Sequence, residues 1–170
     1  QYAKYENVRV TIPRTVVVAT DYFDAFIRNN GLEYVLTTEM TDEEILSEFV
    51  SSTLPYKLRE ALKAYVRTVS GPLAVRSSSK LEDSHYQPFA GIYSTYMIPY
   101  TEGNEDRQLR LLQKAIKSVY ASTYFAASKA YVQSSQNLIA EEKMAVVIQE
   151  VCGTEQDGLF FPTLSGVARS

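Results

Sequence analysis

The order of the apolar patterns is the feature that most constrains the fold of this chain. A short β-branched run at residues 15–20 is typical of a buried strand. From there to about residue 70, apolar residues recur at helical spacings. The predicted helices cover residues 21–30, residues 42 to about 50, and residues 55–68. Their ends carry capping residues: Thr20 and Gly31 flank the first, and Thr41 with Glu44 forms a capping box before the second.

After the break at Ser70-Gly71-Pro72, short apolar runs surround one long helical pattern. The predicted elements are strands at 73–76, 93–98, 144–151 and 159–163, and one helix at 106–133. The last strand is expected to pair with the one before it, across a turn at 153–158. Helices followed by strands favour an α+β fold with a mainly antiparallel sheet and flanking helices. We expect one partial domain over 1–170, with a helical part at about 21–70 and a sheet part at about 71–170.

Charge and hydropathy argue against several classes of function. The chain has 17 Lys and Arg against 20 Asp and Glu, and its net charge of −3 argues against a nucleic-acid partner, which needs a basic face. No apolar run approaches the roughly 20 residues that span a bilayer. The polar first residues show no signal peptide. Cys152 is the single cysteine, so an internal disulfide is impossible and the cytoplasm is the default compartment.

Residues 73–83, LAVRSSSKLED, carry the most chemistry. The predicted strand ends on Arg76, and three serines and a charged loop follow. The planar guanidinium of Arg76 suits phosphate oxygens. Hydroxyls such as that of Ser77 add neutral donors around the same anion. The residues alone leave two interpretations open: a phosphate site, or a structural ion pair of Arg76 with Glu82 or Asp83.

Other candidate groups have simpler interpretations. His85, the only histidine, lies in the same loop and is expected to be exposed rather than catalytic. Cys152 is interpreted as a small core residue. Glu82 and Asp83 have the oxygen ligands that Mg²⁺ uses, but adjacent acidic residues in a loop are more often solvated.

The tyrosines at 120, 124 and 131 follow near-helical spacing and are predicted to be packing residues. No P-loop Gly-Lys-Ser/Thr, nucleophile elbow or zinc-ligand cluster occurs in the sequence.

At these positions the chain resembles the ATP/pyruvate-binding domain of the pyruvate phosphate dikinase and phosphoenolpyruvate synthase family. The run LAVRSSSKLEDSHYQPFAG at 73–91 is similar to the family's Val-Arg-Ser-Ser, Glu-Asp and Phe-Ala-Gly pattern. Residues 12–20 are similar to its proline-containing segment and first strand. Residues 144–151 are similar to the strand that ends in Gln and lines the adenine pocket. With 161–166 included, the resemblance covers nearly the whole chain.

The resemblance implies an ATP-grasp-like fold that holds the nucleotide between two lobes. By position, Arg76 contacts the ATP phosphates and stabilises charge on the transferring group. Residues 90 and 91 belong to a flexible loop over the phosphates, and 149–151 border the adenine mainly through backbone groups. The residues expected at the nucleotide are Arg76, Ser77, Ala90, Gly91, Gln149, Glu150 and Val151.

In this family, the phosphoryl group passes from ATP, bound with Mg²⁺, to a histidine on a swivelling domain, and from there to pyruvate. The resemblance therefore implies a kinase-type phosphotransferase, with a fragment that does not turn over alone and other domains that choose pyruvate or another acceptor. The sequence departs from the family in three places. No Gly-Gly-Lys precedes Ile12, Ile92-Tyr93 replaces a polar pair, and the given sequence stops at Ser170, before the acidic and amide residues expected to bind Mg²⁺ and ATP. A non-catalytic nucleotide-binding or regulatory module stays open as the alternative.

Overall fold

The computed structural model describes residues 12–79, 93–134 and 143–166. Over these ranges the chain contains both helices and strands. In chain order the elements are β1 (Thr15–Val18), α1 (Thr20–Asn30), a 3₁₀ helix (Leu32–Leu36), α2 (Asp42–Ser51), α3 (Tyr56–Val66), β2 (Leu73–Ser79), β3 (Tyr96–Ile98), α4 (Glu105–Ser122), α5 (Ala126–Ser134), β4 (Met144–Glu150), β5 (Thr154–Gln156) and β6 (Leu159–Phe161). Within the same ranges, no helix is both long enough and apolar enough to cross a membrane.

Four strands form one sheet in the order β1-β4-β2-β3. Every neighbouring pair is antiparallel. At its centre, Val147 of β4 lies opposite Val17 of β1 on one side and Arg76 of β2 on the other. The α+β prediction with a mainly antiparallel sheet is confirmed. The sheet also takes in β1, which precedes the helical segment in the sequence.

Helices cover one face of this sheet. Successive residues of a strand point to opposite faces, and on β2 and β4 the helix-facing residues Val75, Val146 and Ile148 are fully buried. The long helix α4 packs on β2 and β3 and also contacts α2 and α3. The hydrophobic core therefore lies between the sheet and this helical layer.

Aromatic rings from three helices fill that core. The ring centroids of Phe26 and Phe49 are 5.7 Å apart, and those of Phe26 and Tyr120 are 5.4 Å apart. Tyr124 lies 5.5 Å from Phe49. Both tyrosines are buried, which confirms their predicted packing role. The side chain at position 131 lies outside the described residues.

Local capping explains some of the helix ends. Gly31 adopts a left-handed backbone with φ of 62° and ends α1 as predicted. The capping box at α2 is also confirmed, because the Thr41 hydroxyl accepts from the Glu44 N–H while the Glu44 carboxylate accepts from the Thr41 N–H. Thr20, in contrast, is not an N-cap. It lies inside α1, and Ala19 is the capping residue without a side-chain hydrogen bond.

The single long helix predicted at 106–133 is two helices, α4 and α5. Bonds from N–H groups to carbonyls three residues earlier tighten the chain after α4, at Thr123 and Tyr124. The carboxylate of Asp42, at the start of α2, then accepts a hydrogen bond of 2.8 Å from the backbone N–H of Ala126. This contact caps α5 from a residue 84 positions away, so apolar periodicity could not reveal it.

The C-terminal strand pairing also differs from the prediction. β6 pairs with β5 in a separate two-stranded hairpin and not with β4. Asp157 and Gly158 have φ of 52° and 77° at the turn. Two residues with positive φ, in an Asp-Gly sequence, are the preferred connection of a two-residue hairpin. This local signal favours β5 as the partner over the longer β4.

Candidate functional site

The second face of the four-stranded sheet is open over the residues that the structure describes. Side chains on this face alternate with the buried ones along β1, β2 and β4. Val17 is 59% exposed and Met97, on the neighbouring edge strand, is 61% exposed. This open face holds the main candidate site residues, so we define it by its members. They are Thr15, Val17, Ala74, Arg76, Ser78, Met97, Ala145, Val147 and Gln149.

Arg76 lies near the middle of the open face. It is exposed, and the ion pairs found between described residues join other side chains. Its guanidinium therefore points from a rigid strand toward solvent, with its fork of donors available to an anion. The alternative pairing with Glu82 or Asp83 concerns residues outside the described ranges.

Ser77 is not brought together with Arg76. It lies opposite Val146 on the helix-facing side of the sheet, because neighbouring residues of a strand alternate between faces. Ser78 instead shares the open face with Arg76 and lies opposite Ala145. The sequence prediction ended this strand at Arg76, whereas β2 continues to Ser79. Extending the alternation by three residues would have placed Ser78, and not Ser77, on the same face as Arg76.

Gln149 also belongs to the open face. It lies opposite Thr15 on β1 and opposite Ala74 on β2, which places it diagonally across from Arg76. Its Nε2 donates a hydrogen bond of 2.9 Å to the Thr15 hydroxyl. The amide is thereby oriented across the sheet toward β1, on the side of β4 away from β2.

At that end, the backbone donors of β4 are already engaged. The N–H of Glu150 donates to the carbonyl of Arg14 at 3.0 Å, and the N–H of Val151 donates to the carbonyl of Pro72 at 2.9 Å. A base bound here by backbone groups of these two residues would have to use their carbonyls. The Glu150 side chain lies on the helix-facing side, opposite buried Leu73.

A cavity of about 470 Å³ opens beside this end of β4. Val151 and Pro72 form one side, Met97 and Tyr100 lie next to them, and Phe160 of the hairpin borders the other side. Its mixed polar and apolar walls and its size suit a small planar group with polar edges.

Gly153, between β4 and the hairpin, lies very close to the backbone of Phe161 in β6. A Cβ at Gly153 would lie 2.8 Å from the backbone carbonyl carbon and oxygen of Phe161. Only glycine permits that spacing.

The remaining predictions divide between the described and undescribed residues. Ala90, Gly91, His85 and the acidic pair at 82 and 83 lie outside the described ranges. Cys152 is exposed, so its interpretation as a core residue is wrong. It follows the end of β4, where the chain leaves the sheet and the buried alternation stops.

The described residues contain no group of three or more His, Cys, Asp or Glu side chains able to hold a metal ion. We assign no metal-dependent step to them.

Comparison with known proteins decides the family. A model of the pyruvate phosphate dikinase AMP/ATP-binding domain matches residues 3–170. The chain belongs to this family. The match covers nearly every residue, so the resemblance carried by the Val-Arg-Ser-Ser block is confirmed for the chain as a whole.

Two curated relatives match over most of the chain. An uncharacterized phosphotransferase of Bacillus subtilis strain 168, YvkC, is 31% identical over 157 residues, covering 88% of this chain and 17% of its own length. The phosphoenolpyruvate synthase of Aeropyrum pernix is 29% identical over 174 residues, covering 89% of this chain and 20% of its own length. The chain thus spans about a fifth of the relatives it matches.

Proposed function

We propose that this chain is the nucleotide-binding part of a phosphotransferase that moves a phosphoryl group from ATP to a histidine carrier and then to pyruvate or another acceptor. The observation that carries the proposal is Arg76, held exposed on the open face of the sheet in a family of AMP/ATP-binding domains. The names of the two relatives, a phosphotransferase and a phosphoenolpyruvate synthase, support the reaction class.

The spacing along β2 is suited to a nucleoside triphosphate. The N–H of Val151 donates to the carbonyl of Pro72, the residue just before β2. Arg76 lies four residues further along the chain, within β2. At about 3.3 Å per residue this separation is roughly 13 Å. An extended nucleotide with its base in the cavity beside Val151 would therefore bring its phosphates to Arg76. Gln149 lies between the two positions on the same face.

The chemistry that this arrangement supports is electrostatic. Charge develops on the oxygens of the transferring phosphoryl group, and a guanidinium fixed on a strand stabilises it without having to reorganise. The flat open face would form one wall of an ATP-grasp-like cleft, and the second wall would come from another part of the full protein. Mg²⁺, when bound with ATP, would neutralise part of the phosphate charge.

The decisive measurement is a calorimetric titration of MgATP into the protein and its Arg76→Ala variant. Loss of a hydrogen bond to a charged group costs about 1.5–3 kcal/mol, so we expect the affinity to fall roughly 10- to 150-fold. Arg110→Ala is the matched control, because it removes the same charge from an exposed position on α4, in the helical layer. Equal affinities of the Arg76→Ala variant and the parent protein would reject the proposal.

The alternative, a non-catalytic nucleotide-binding module, makes a different prediction for the full-length protein. Incubation with ATP labelled in the phosphate it donates should leave acid-labile phosphohistidine on a phosphotransferase. Nucleotide binding that depends on Arg76 without any labelled histidine would favour the module.

A further inference from the structure

A polar cluster lies beneath the sheet, on the helix-facing side, where β1 begins and β4 ends. The Nε of Arg14 is 3.7 Å from Oε1 of Glu150. The Nη1 of Arg14 donates a hydrogen bond of 2.7 Å to the carbonyl of Thr68, just after α3. The Arg14 carbonyl also accepts from the Glu150 N–H. Arg14 therefore links the end of β4 to the turn behind α3 through its backbone and its side chain.

The cluster includes two buried polar side-chain atoms, one on Glu150 and one on Tyr65. Oε1 of Glu150 is buried and accepts no hydrogen bond from the described residues, and the same holds for the hydroxyl of Tyr65. Burial raises the pKa of Tyr65, the Glu150 carboxylate raises it further, and Arg14 opposes them. Within the described part of the chain, Arg14 is the cation paired with this carboxylate. Its removal would leave a largely buried charge uncompensated.

Glu150 lies between two residues that face the proposed nucleotide. Gln149 precedes it on the open face, and Val151 follows it at the cavity. The side chain of Glu150 points the other way, into the polar cluster. The Arg14–Glu150 ion pair thus adds to the backbone hydrogen bonds that hold this end of β4.

We propose that Arg14 is a positioning residue that fixes the end of β4 for recognition of the nucleoside part of the ligand. This inference rests on the proposed function and adds a specificity element to it. Arg14 acts through Glu150 and does not touch the ligand. Its guanidinium forms an ion pair with the Glu150 carboxylate through one nitrogen and donates a hydrogen bond to the Thr68 carbonyl from another, a geometry that a lysine ammonium does not reproduce.

The first experiment separates recognition of the nucleoside from recognition of the phosphates. ATP, adenosine and inorganic triphosphate are titrated into the parent protein and into the Arg14→Gln, Arg14→Lys and Arg76→Ala variants. Because Arg14 is half-exposed, we expect Arg14→Gln to weaken ATP and adenosine by only about fivefold, with triphosphate binding unchanged. Arg14→Lys should recover part of the lost affinity. Arg76→Ala should weaken the binding of ATP and triphosphate but not that of adenosine.

Arg67→Gln is the matched control, since it removes an exposed arginine that is paired with Glu105 next to the same turn. It should leave all three affinities unchanged. An equal loss for all three ligands in Arg14→Gln would overturn the inference, because it would indicate general destabilisation. Unchanged affinity for adenosine in a protein that binds ATP would also overturn it.

A second measurement needs no ligand. Hydrogen exchange at the amides of Glu150 and Val151 should be faster in Arg14→Gln than in the parent protein or in Arg67→Gln. Glu150→Gln, which keeps the side-chain shape and removes the charge, should show a smaller increase. If the parent protein binds neither ATP nor adenosine, the proposed function fails. Unchanged exchange would overturn the role of Arg14 by itself.

Discussion

The two faces of the four-stranded sheet are built by the same strands but are fixed by different forces. On the helix-facing side, Val75, Val146 and Ile148 are fully buried. On the open face, Val17 and Met97 are more than half exposed, and Arg76 projects between them. Packing therefore determines the residues of the first face. On the second face packing places few demands, so a charged residue there is informative about ligands.

Residues that are adjacent in the sequence therefore lie on different faces of the sheet. Arg76 and Ser77 are neighbours in sequence, yet one faces solvent and the other faces the helices. Substitutions on the helix-facing side should change stability, and substitutions on the open face should change binding. The following predictions test that division.

The largest effect is expected for Ile148→Ala. The side chain is fully buried against the helices, and truncating such a residue removes apolar contacts and leaves a cavity at a cost of about 2–5 kcal/mol. Val17→Ala, on the adjacent strand but 59% exposed, should cost no more than about 1 kcal/mol. Urea unfolding of the two variants measures the difference. Equal losses would mean that the open face is also covered in the folded protein.

A smaller effect is expected for Gly153→Ala, at the edge of the open face. The added Cβ would meet the Phe161 backbone at 2.8 Å, and relieving such overpacking typically costs about 1–3 kcal/mol. Because Phe160 borders the cavity beside Val151, displacement of the hairpin should also weaken ATP binding. Gly166→Ala is the control, since no atom lies within 4 Å of a Cβ there. If the two variants have the same stability in urea and the same affinity for ATP, the close contact at Gly153 is contradicted.

Local signals were sufficient for much of the fold. The β-branched runs indicated β1 and β4, and the Thr41–Glu44 pair indicated the start of α2 because a capping box acts within one turn. The break between α4 and α5 was missed because the Asp42 carboxylate that caps Ala126 is distant in the sequence. The hairpin was missed although Asp157-Gly158 signalled it, because the longer apolar run of β4 appeared the better partner.

The candidate site was less accessible to sequence reasoning. The position of Arg76 followed from the motif, but its separation from Ser77 required knowledge that β2 continues beyond it. Arg14 carried no signal at all. Its role depends on a contact with Glu150, 136 positions later in the sequence, that exists only once β1 and β4 pair.

The smallest predicted effect concerns the helical layer that packs on the helix-facing side of the sheet. The Glu44 carboxylate accepts hydrogen bonds from the backbone N–H and the hydroxyl of Thr41, and these bonds lower its pKa below the ordinary value of 4.5. A lowered folded pKa means that the stabilisation is present above the ordinary pKa and is lost as the pH falls through the folded value. Glu44→Gln keeps an acceptor but does not titrate, so it should lose less stability on acidification than the parent protein. The measurement is the urea midpoint between about pH 6 and pH 3, with Glu43→Gln in the same turn as the control. An acid response equal to that of the parent protein would show that the capping box contributes nothing to the pH dependence.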